Sequence, residues 1–167
     1  MPPPFDTDWA YAAGLVDGEG CIAVVRSSAS STGRHQYRVF VDVTNRDRAV
    51  LEWMRSLWGG WVVGQRQRTP GAQPIWIWRS PTGIGAKPFL MGIRPWLRLK
   101  SRQCDNAITM IAVVQERQRT HNWTAQLDSL GSKLETIYWI QRRLNHRGKA
   151  DFVREAAGPL VAAPMRG

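Results

Sequence analysis

Between Gln36 and Asn45 the chain alternates: Tyr37, Val39, Val41 and Val43 point one way, and Gln36, Arg38, Phe40, Asp42 and Thr44 point the other. A period of two predicts a half-buried strand with one face on a core and one face open. Cys21 to Val25 reads as a similar strand, and the Ser-rich stretch from Ser27 to Gly33 predicts the connection that joins the two into a long hairpin. A second hairpin is predicted from Trp61 to Arg68 and Ile75 to Ser80, turned through Thr69-Pro70-Gly71. Alternation places Trp76 and Trp78 on its core face and Ile75, Ile77 and Arg79 on the other.

Elsewhere the period lengthens to that of a helix. Asp6 or Thr7 is suited to cap about three turns running through Asp8 to Val16, which Gly18 and Gly20 then stop. One side of this helix is small (Ala10, Ala13, Gly14, Asp17), and the other is bulkier (Trp9, Ala12, Leu15, Val16). Gly costs about 1 kcal/mol relative to Ala inside a helix, so Gly14 predicts either the close approach of a second helix or a crowded core. Asp47 caps a helix to Trp58 that Gly59 ends. A short helix follows from Ala86 to Ile93, broken before Pro95. A longer one runs from Ser101 to Gln118 with Cys104, Ala107, Ile108, Ile111 and Val114 inward. A last helical region, about Thr124 to Asn145, precedes a Gly/Pro/Ala-rich tail. This order lacks regular βαβ spacing. It predicts an α+β fold, an antiparallel sheet covered on one face by helices.

Composition changes the picture in three ways. A chain of 167 residues, 43% hydrophobic, has enough apolar material for one core and is short for two domains. It offers no apolar run of roughly 20 residues and no charged, apolar leader, so the expected place is intracellular, in cytoplasm or an organelle, with no membrane partner. Cys21 and Cys104 are too few for a disulfide framework and have no zinc-like spacing with His35, His121 or His146. Charge is the third. The net charge is +10, and Arg26 to Arg102 holds 14 Lys or Arg against three acids (Asp42, Asp47, Glu52), so the remainder is close to neutral. A one-sided, Arg-dominated excess is the footprint of phosphate binding and predicts a nucleic-acid partner.

The run Ala12-Ala13-Gly14-Leu15-Val16-Asp17-Gly18-Glu19-Gly20 resembles the signature of the LAGLIDADG homing endonucleases. It matches at Ala13, Gly14, Leu15, Asp17 and Gly20, with Val16 and Glu19 as conservative replacements and Ala12 and Gly18 where the motif has Leu and Ala. The resemblance implies one domain built on an αββαββα unit over about residues 7 to 118. Its saddle-shaped sheet would lie on DNA, with extra helices over about 122 to 147 and a flexible tail from 148 to 167. It implies that Glu19, with the backbone oxygen of Gly18, holds Mg²⁺, for which Mn²⁺ or Ca²⁺ can substitute, and that no small-molecule cofactor is needed. Val43-Thr44-Asn45 ends a strand where the family places a polar residue that holds a metal-bound water, here Asn45. The run Pro95-Trp96-Leu97-Arg98-Leu99-Lys100-Ser101-Arg102-Gln103 resembles the family's Pro-aromatic-Leu…Lys…Gln segment, whose lysine sits by the scissile phosphate, here Lys100. The simpler alternatives are Asn45 as the start of the next helix and Lys100 as one more phosphate contact.

Members with one motif copy act as homodimers, which implies an interface through Ala10, Ala13, Gly14 and Asp17 and a long, near-palindromic duplex target. The implied activity is a double-strand break by metal-dependent phosphodiester hydrolysis. On the open strand faces Gln36, Arg38 and Arg79 suit hydrogen-bonded readout, Asp42 suits a cytosine amine, and Val25, Phe40 and Ile77 suit thymine methyls. Arg34, Thr44, Arg46, Gln65, Arg66, Arg68, Lys100 and Arg102 extend that DNA surface. The competing function is a non-cleaving binder of the same fold, an RNA maturase or DNA-binding regulator. Against it, a pure binder needs no acid in a cationic surface, where it costs phosphate affinity.

Overall fold

A computed structural model describes residues 3–27, 35–65, 73–120 and 125–146. The first helix, α1 (Asp6–Glu19), starts where the Phe5 N–H donates to the Asp8 carboxylate at 2.8 Å. It does not stop at Gly18, as the two glycines suggested, but runs one residue further and ends as the chain enters β1 (Gly20–Ser27). β2 (Gln36–Asn45) pairs antiparallel with β1, from Gly20 opposite Val43 to Ser27 opposite Gln36. Asp47 caps α2 (Arg48–Trp58) by accepting the Ala49 N–H at 2.8 Å, and Gly59, at a φ of 71°, ends it in the left-handed region that favours glycine. β3 (Trp61–Gln65) and β4 (Ile75–Arg79) form the second hairpin. A 3-10 turn (Gly83–Ala86) leads into α3 (Lys87–Ile93), and α4 (Ser101–Arg119) and α5 (Ala125–Asn145) complete the order.

The four strands form one antiparallel sheet in the order β1-β2-β4-β3, so the second hairpin docks on β2 through its later strand. One face is the core. Ile22, Val24, Val39, Val41, Val43 and Trp78 are buried there against α1, α3 and α4. Tyr37 and Trp76 pack partly buried on the same side, as alternation predicts. In α4, Cys104, Ala107 and Ile111 face inward as expected, but the most buried neighbours are Met110 and Val113, with Ile108 and Val114 only partly covered.

Tryptophan fills the space between the helices and the sheet. Trp9 of α1 lies 5.1 Å from Trp58 of α2, Trp58 lies 5.2 Å from Phe89 of α3, and Phe89 lies 5.0 Å from Trp78 of β4, measured between ring centroids. Tilted and edge-on contacts of this kind add to the area they bury. Trp78 also donates its indole N–H to the Gly59 carbonyl at 2.9 Å, which fixes the turn between α2 and β3.

α5 closes the edge of the sheet. β1 is an outer strand, and the Ile22 carbonyl accepts from Gln141 at 2.7 Å and from Asn145 at 2.9 Å. Gln141 is itself held by Asn106 of α4 at 2.8 Å. Glu135 adds an ion pair with Arg26 and a hydrogen bond from Tyr37, while Arg26 stacks 5.0 Å from the Tyr138 ring. An exposed strand edge invites pairing with other chains, and these side chains occupy it.

The expected connection from Ser27 to Gly33 lies largely outside the described residues, and Arg34, Arg66, Arg68, the Thr69-Pro70-Gly71 turn and the tail from 148 lie wholly outside them.

A substitution test follows from the Trp9 packing. A Cβ at Gly92 of α3 would stand 2.4 Å from the Trp9 ring, so Gly92→Ala should lower unfolding stability by about 1–3 kcal/mol through overpacking. Gly131 of α5 has open space around its missing Cβ, and Gly131→Ala should instead stabilise by up to about 1 kcal/mol. Urea unfolding of the two variants measures both; equal midpoints would refute the packing assignment.

Candidate active site and nucleic-acid interface

The site is assembled where α1 runs into β1. A Cβ at Gly20 would lie 2.7 Å from the Val16 Cα, so the chain can leave the helix this tightly only through glycine. The preceding residue, Glu19, is left exposed at the junction, and among the described residues it has no hydrogen bond or ion pair.

Asp17 and Lys100 join this junction to the segment before α4 by a reciprocal exchange. The Asp17 carboxylate accepts three consecutive backbone N–H groups, from Arg98 at 2.7 Å, Leu99 at 3.1 Å and Lys100 at 2.9 Å. The Lys100 ammonium donates back to the Val16 carbonyl at 2.8 Å and the Asp17 carbonyl at 2.5 Å. The anion thus fills a nest of main-chain donors, and the cation satisfies carbonyls at the negative end of α1.

Beside this exchange lies a cleft of about 440 Å³ lined by Gly18, Glu19, Cys21, Thr44, Lys100, Gln103 and Asn145, among others. It brings Gly18, Glu19 and Lys100 together, as the resemblance requires. Asn45 is elsewhere: it is not among the lining residues, and its Oδ1 accepts the Asp47 N–H at 2.9 Å, the first step in capping α2. Thr44, its neighbour on the open side of β2, takes the place at the cleft. Burial, with Asp42 nearby, pushes the Cys21 thiol up from its ordinary value, against the lowering effect of Lys100, so it stays protonated at neutral pH.

Glu19 and the Gly18 carbonyl offer hard oxygen donors in an open, polar cleft, which suits Mg²⁺ or Ca²⁺ with remaining positions left to water and phosphate. Among the described residues no three His, Cys, Asp or Glu side chains cluster as a closed metal cage.

From the cleft the sheet opens away from the helices. Cross-strand register puts Val25 beside Arg38, Phe40 beside Ala23, Thr44 beside Ile77, Ile77 beside Val63, and Arg79 between Asp42 and Trp61. Arg38 and Gln65 are exposed on this face. Asp42 is already engaged within the chain: each of its oxygens accepts from Arg79, at 2.6 Å. That bonding holds the Arg79 guanidinium's pKa above its ordinary value. Trp61 and Val63, 43% and 45% exposed, belong to this face although neither was expected there. The run Trp61-Val62-Val63 carries no alternation, and only its register against Arg79 and Ile77 reveals which side is which.

The small side of α1 is divided. Ala13 is fully buried within the chain and Asp17 is engaged by the α4 segment, so the open stripe is Tyr11, Gly14 and Gly18. A Cβ at either glycine would meet nothing within 4 Å.

No protein-family model and no curated protein matches the sequence. Among solved structures the chain resembles the homing endonuclease I-CvuI in complex with its target, with a TM-score of 0.67 at 22% identity, covering 90% of this chain and 92% of that one. The archaeal intron-encoded homing endonuclease I-Vdi141I, complexed with DNA, matches with a TM-score of 0.67 at 16% identity, covering 89% and 92%. The LAGLIDADG homing endonuclease I-SmaMI, bound to cleaved DNA, matches with a TM-score of 0.64 at 14% identity, covering 87% of this chain and 47% of that one. The chain has the LAGLIDADG endonuclease fold. The helix that carries the motif, the two hairpins and the backing helices all occur in the order of that fold. The chain covers nearly all of I-CvuI and about half of I-SmaMI, so it carries one unit of the LAGLIDADG architecture.

The Asp17–Lys100 exchange makes a stability test. Asp17→Ala should cost on the order of 2 kcal/mol by leaving main-chain donors without their charged acceptor. Combined with Lys100→Ala, the loss should be smaller than the sum of the single losses, because both variants break one linkage. Additive losses in a chemical-unfolding cycle would refute the linkage.

Proposed function

We propose that the protein is a homodimeric, site-specific DNA endonuclease that makes a double-strand break by divalent-metal-dependent phosphodiester hydrolysis. The observation that carries this reading is the exposed Glu19 carboxylate, without a hydrogen bond or ion pair among the described residues, in the lining of a cleft that Thr44 of β2 also borders. A carboxylate placed there repels phosphate unless it holds a cation between them.

Each residue then has a defined task. Glu19 and the Gly18 carbonyl hold the ion, which when bound supplies charge to the scissile phosphate and a lowered pKa to an attacking water. Lys100 fixes the end of α1 and adds a positive charge at the cleft wall. Thr44 and Gln103 supply polar side chains to the cleft, where the resemblance has Asn45 hold a metal-bound water. The open sheet face lies in the major groove, wide enough for a two-stranded ribbon.

Two copies are required, since one chain offers one Glu19 and a double-strand break needs one centre per strand. The stripe of Tyr11, Gly14 and Gly18, with Ala10 beside it, is open to a second α1 across a two-fold axis. I-CvuI is solved with its own target in the presence of Ca and with the I-CreI target, not cleaved, in the presence of Mg, which supports the duplex partner and the class of ion.

A second reading, binding without cutting, draws on one observation: Asn45 is committed to starting α2 rather than to the cleft. Selection from random long duplexes with Mg²⁺, sequencing both bound and cut molecules, separates the two. Converging cut ends that disappear with EDTA support the endonuclease; enrichment without cut ends supports the binder.

Glu19→Gln should abolish cleavage while duplex affinity holds or rises, as measured by gel shift beside a cleavage assay. Cleavage at the unaltered rate would remove Glu19 from the reaction. Gly14→Leu should halve the mass seen by sedimentation without loss of helix content, because a Cβ there meets nothing among the described residues within 4 Å. An unchanged dimer would place the interface elsewhere.

A further inference from the structure

At the centre of the open face three side chains form a unit whose members lie on adjacent strands. Arg79 of β4 stands directly opposite Asp42 of β2, and its guanidinium lies 4.2 Å from the Phe40 ring centroid. The Arg79 Nε–H donates to Asp42 Oδ1, and an Nη2–H donates to Oδ2, both at 2.6 Å. The carboxylate is the deeper partner, with 20% of its side chain exposed against 37% for Arg79. β4 and β2 are the two inner strands, so the unit lies mid-sheet and not at the rim.

That arrangement is poorly suited to a phosphate. Pairing with Asp42 cancels the charge that phosphate attraction depends on. What the pair supplies is orientation: the side edge of the guanidinium is fixed by two charge-assisted bonds and its flat face is set against Phe40. A guanidinium has five N–H donors, and this geometry uses Nε–H and one Nη2–H. The far edge, with donors on both Nη1 and Nη2, remains for a pair of acceptors at matching separation. In the major groove the O6 and N7 atoms of guanine are such a pair, and the other bases do not offer two acceptors there.

We propose that Arg79 is a guanine-reading residue, held in a reading orientation by Asp42 as a positioning residue and by Phe40 as its platform. The assignment rests on the duplex-binding part of the proposed function. It replaces the expectation that Asp42 itself contacts cytosine. Arg79 meets the purine of a G·C pair, and Asp42 acts only through Arg79.

The test uses the full chain, without Mg²⁺ so that bound duplexes stay intact, in selection from a random duplex library. Wild type should enrich a G·C pair at one fixed position in each half-site. Arg79→Lys, which keeps the charge but not the fork, should lose that preference while keeping the others and its affinity for random duplex. Replacing that guanine by 7-deazaguanine, which lacks the N7 acceptor, should weaken wild type about tenfold and leave Arg79→Lys unchanged. Asp42→Asn should relax the same position selectively; a merely structural role would lower affinity evenly for all sequences. Thermal melting of each variant checks that folding is retained. Identical sequence preferences in wild type and Arg79→Lys, or no effect of 7-deazaguanine, would overturn the assignment while the endonuclease reading stands. Failure of wild type to bind any duplex would overturn both.

Discussion

The exchange between Asp17 and Lys100 is the linkage on which the candidate site depends. A helix that ends in an open cleft leaves carbonyls without partners and a partial negative charge at its tip. α1 ends in this way, and the next side chain, Glu19, adds a full negative charge to the same place. The Lys100 ammonium meets that demand from one side by binding two of the last carbonyls, while Asp17 draws the Lys100 backbone into position. Each half of the exchange holds the other half in place. The result is a fixed end of α1 whose remaining charge, on Glu19, is directed outward and not matched by any ion pair among the described residues. A cation arriving there meets a negative site that the fold has placed but not neutralised.

Among the described residues the rest of the molecule leaves one sheet face uncovered. Helices and the tryptophan cluster cover the opposite face, and the Trp78 indole is satisfied by a main-chain carbonyl, so the bulky core leaves that polar group bonded. α5 covers the β1 edge with side-chain amides from Gln141 and Asn145, a use of polar residues in place of a fifth strand. Because the amides come from a helix, they satisfy β1 without extending the sheet toward the open face. The cleft inherits its far wall from the same helix, through Asn145. The C-terminal helix therefore supports the sheet and borders the site at once.

Local pattern was sufficient for most of the fold. The alternation in Gln36–Asn45 and the Asp47/Gly59 punctuation of α2 correspond to the observed elements, because caps and strand faces are decided within a few residues. The resemblance over Ala12–Gly20 located the junction that bears Glu19. What was not legible depends on partners distant in sequence. Asp17 looked like an interface acid because its acceptors' donors lie more than 80 residues away. Ala13 looked like a contact between chains because a small residue on a helix is equally suited to a second chain or to its own core, and it is fully buried within its own chain. Asn45 was placed by motif position, yet a side chain at the last residue of a strand falls on one face or the other by parity, and parity gives the cleft to Thr44. Asp42 and Arg79 each read as a base contact until the register set them side by side.

The charge excess also acquires a structural meaning that counting could not supply. Of the basic residues between Arg26 and Arg102, five are tied to carboxylates among the described residues: Arg26, Arg48, Arg55, Arg79 and Arg94. Lys100 is bound to carbonyls. Charge used in this way contributes little to counterion release, because a phosphate would have to displace the existing partner. Arg38, Arg46, Arg98 and Arg102 are exposed and make no ion pair with a described carboxylate. Arg38 sits on the open face of β2, Arg46 just past its end, and Arg98 and Arg102 beside the start of α4. Paired and exposed arginines therefore differ in what they offer: a guanidinium held by a carboxylate has a fixed orientation, and an exposed one without such a partner keeps its net charge.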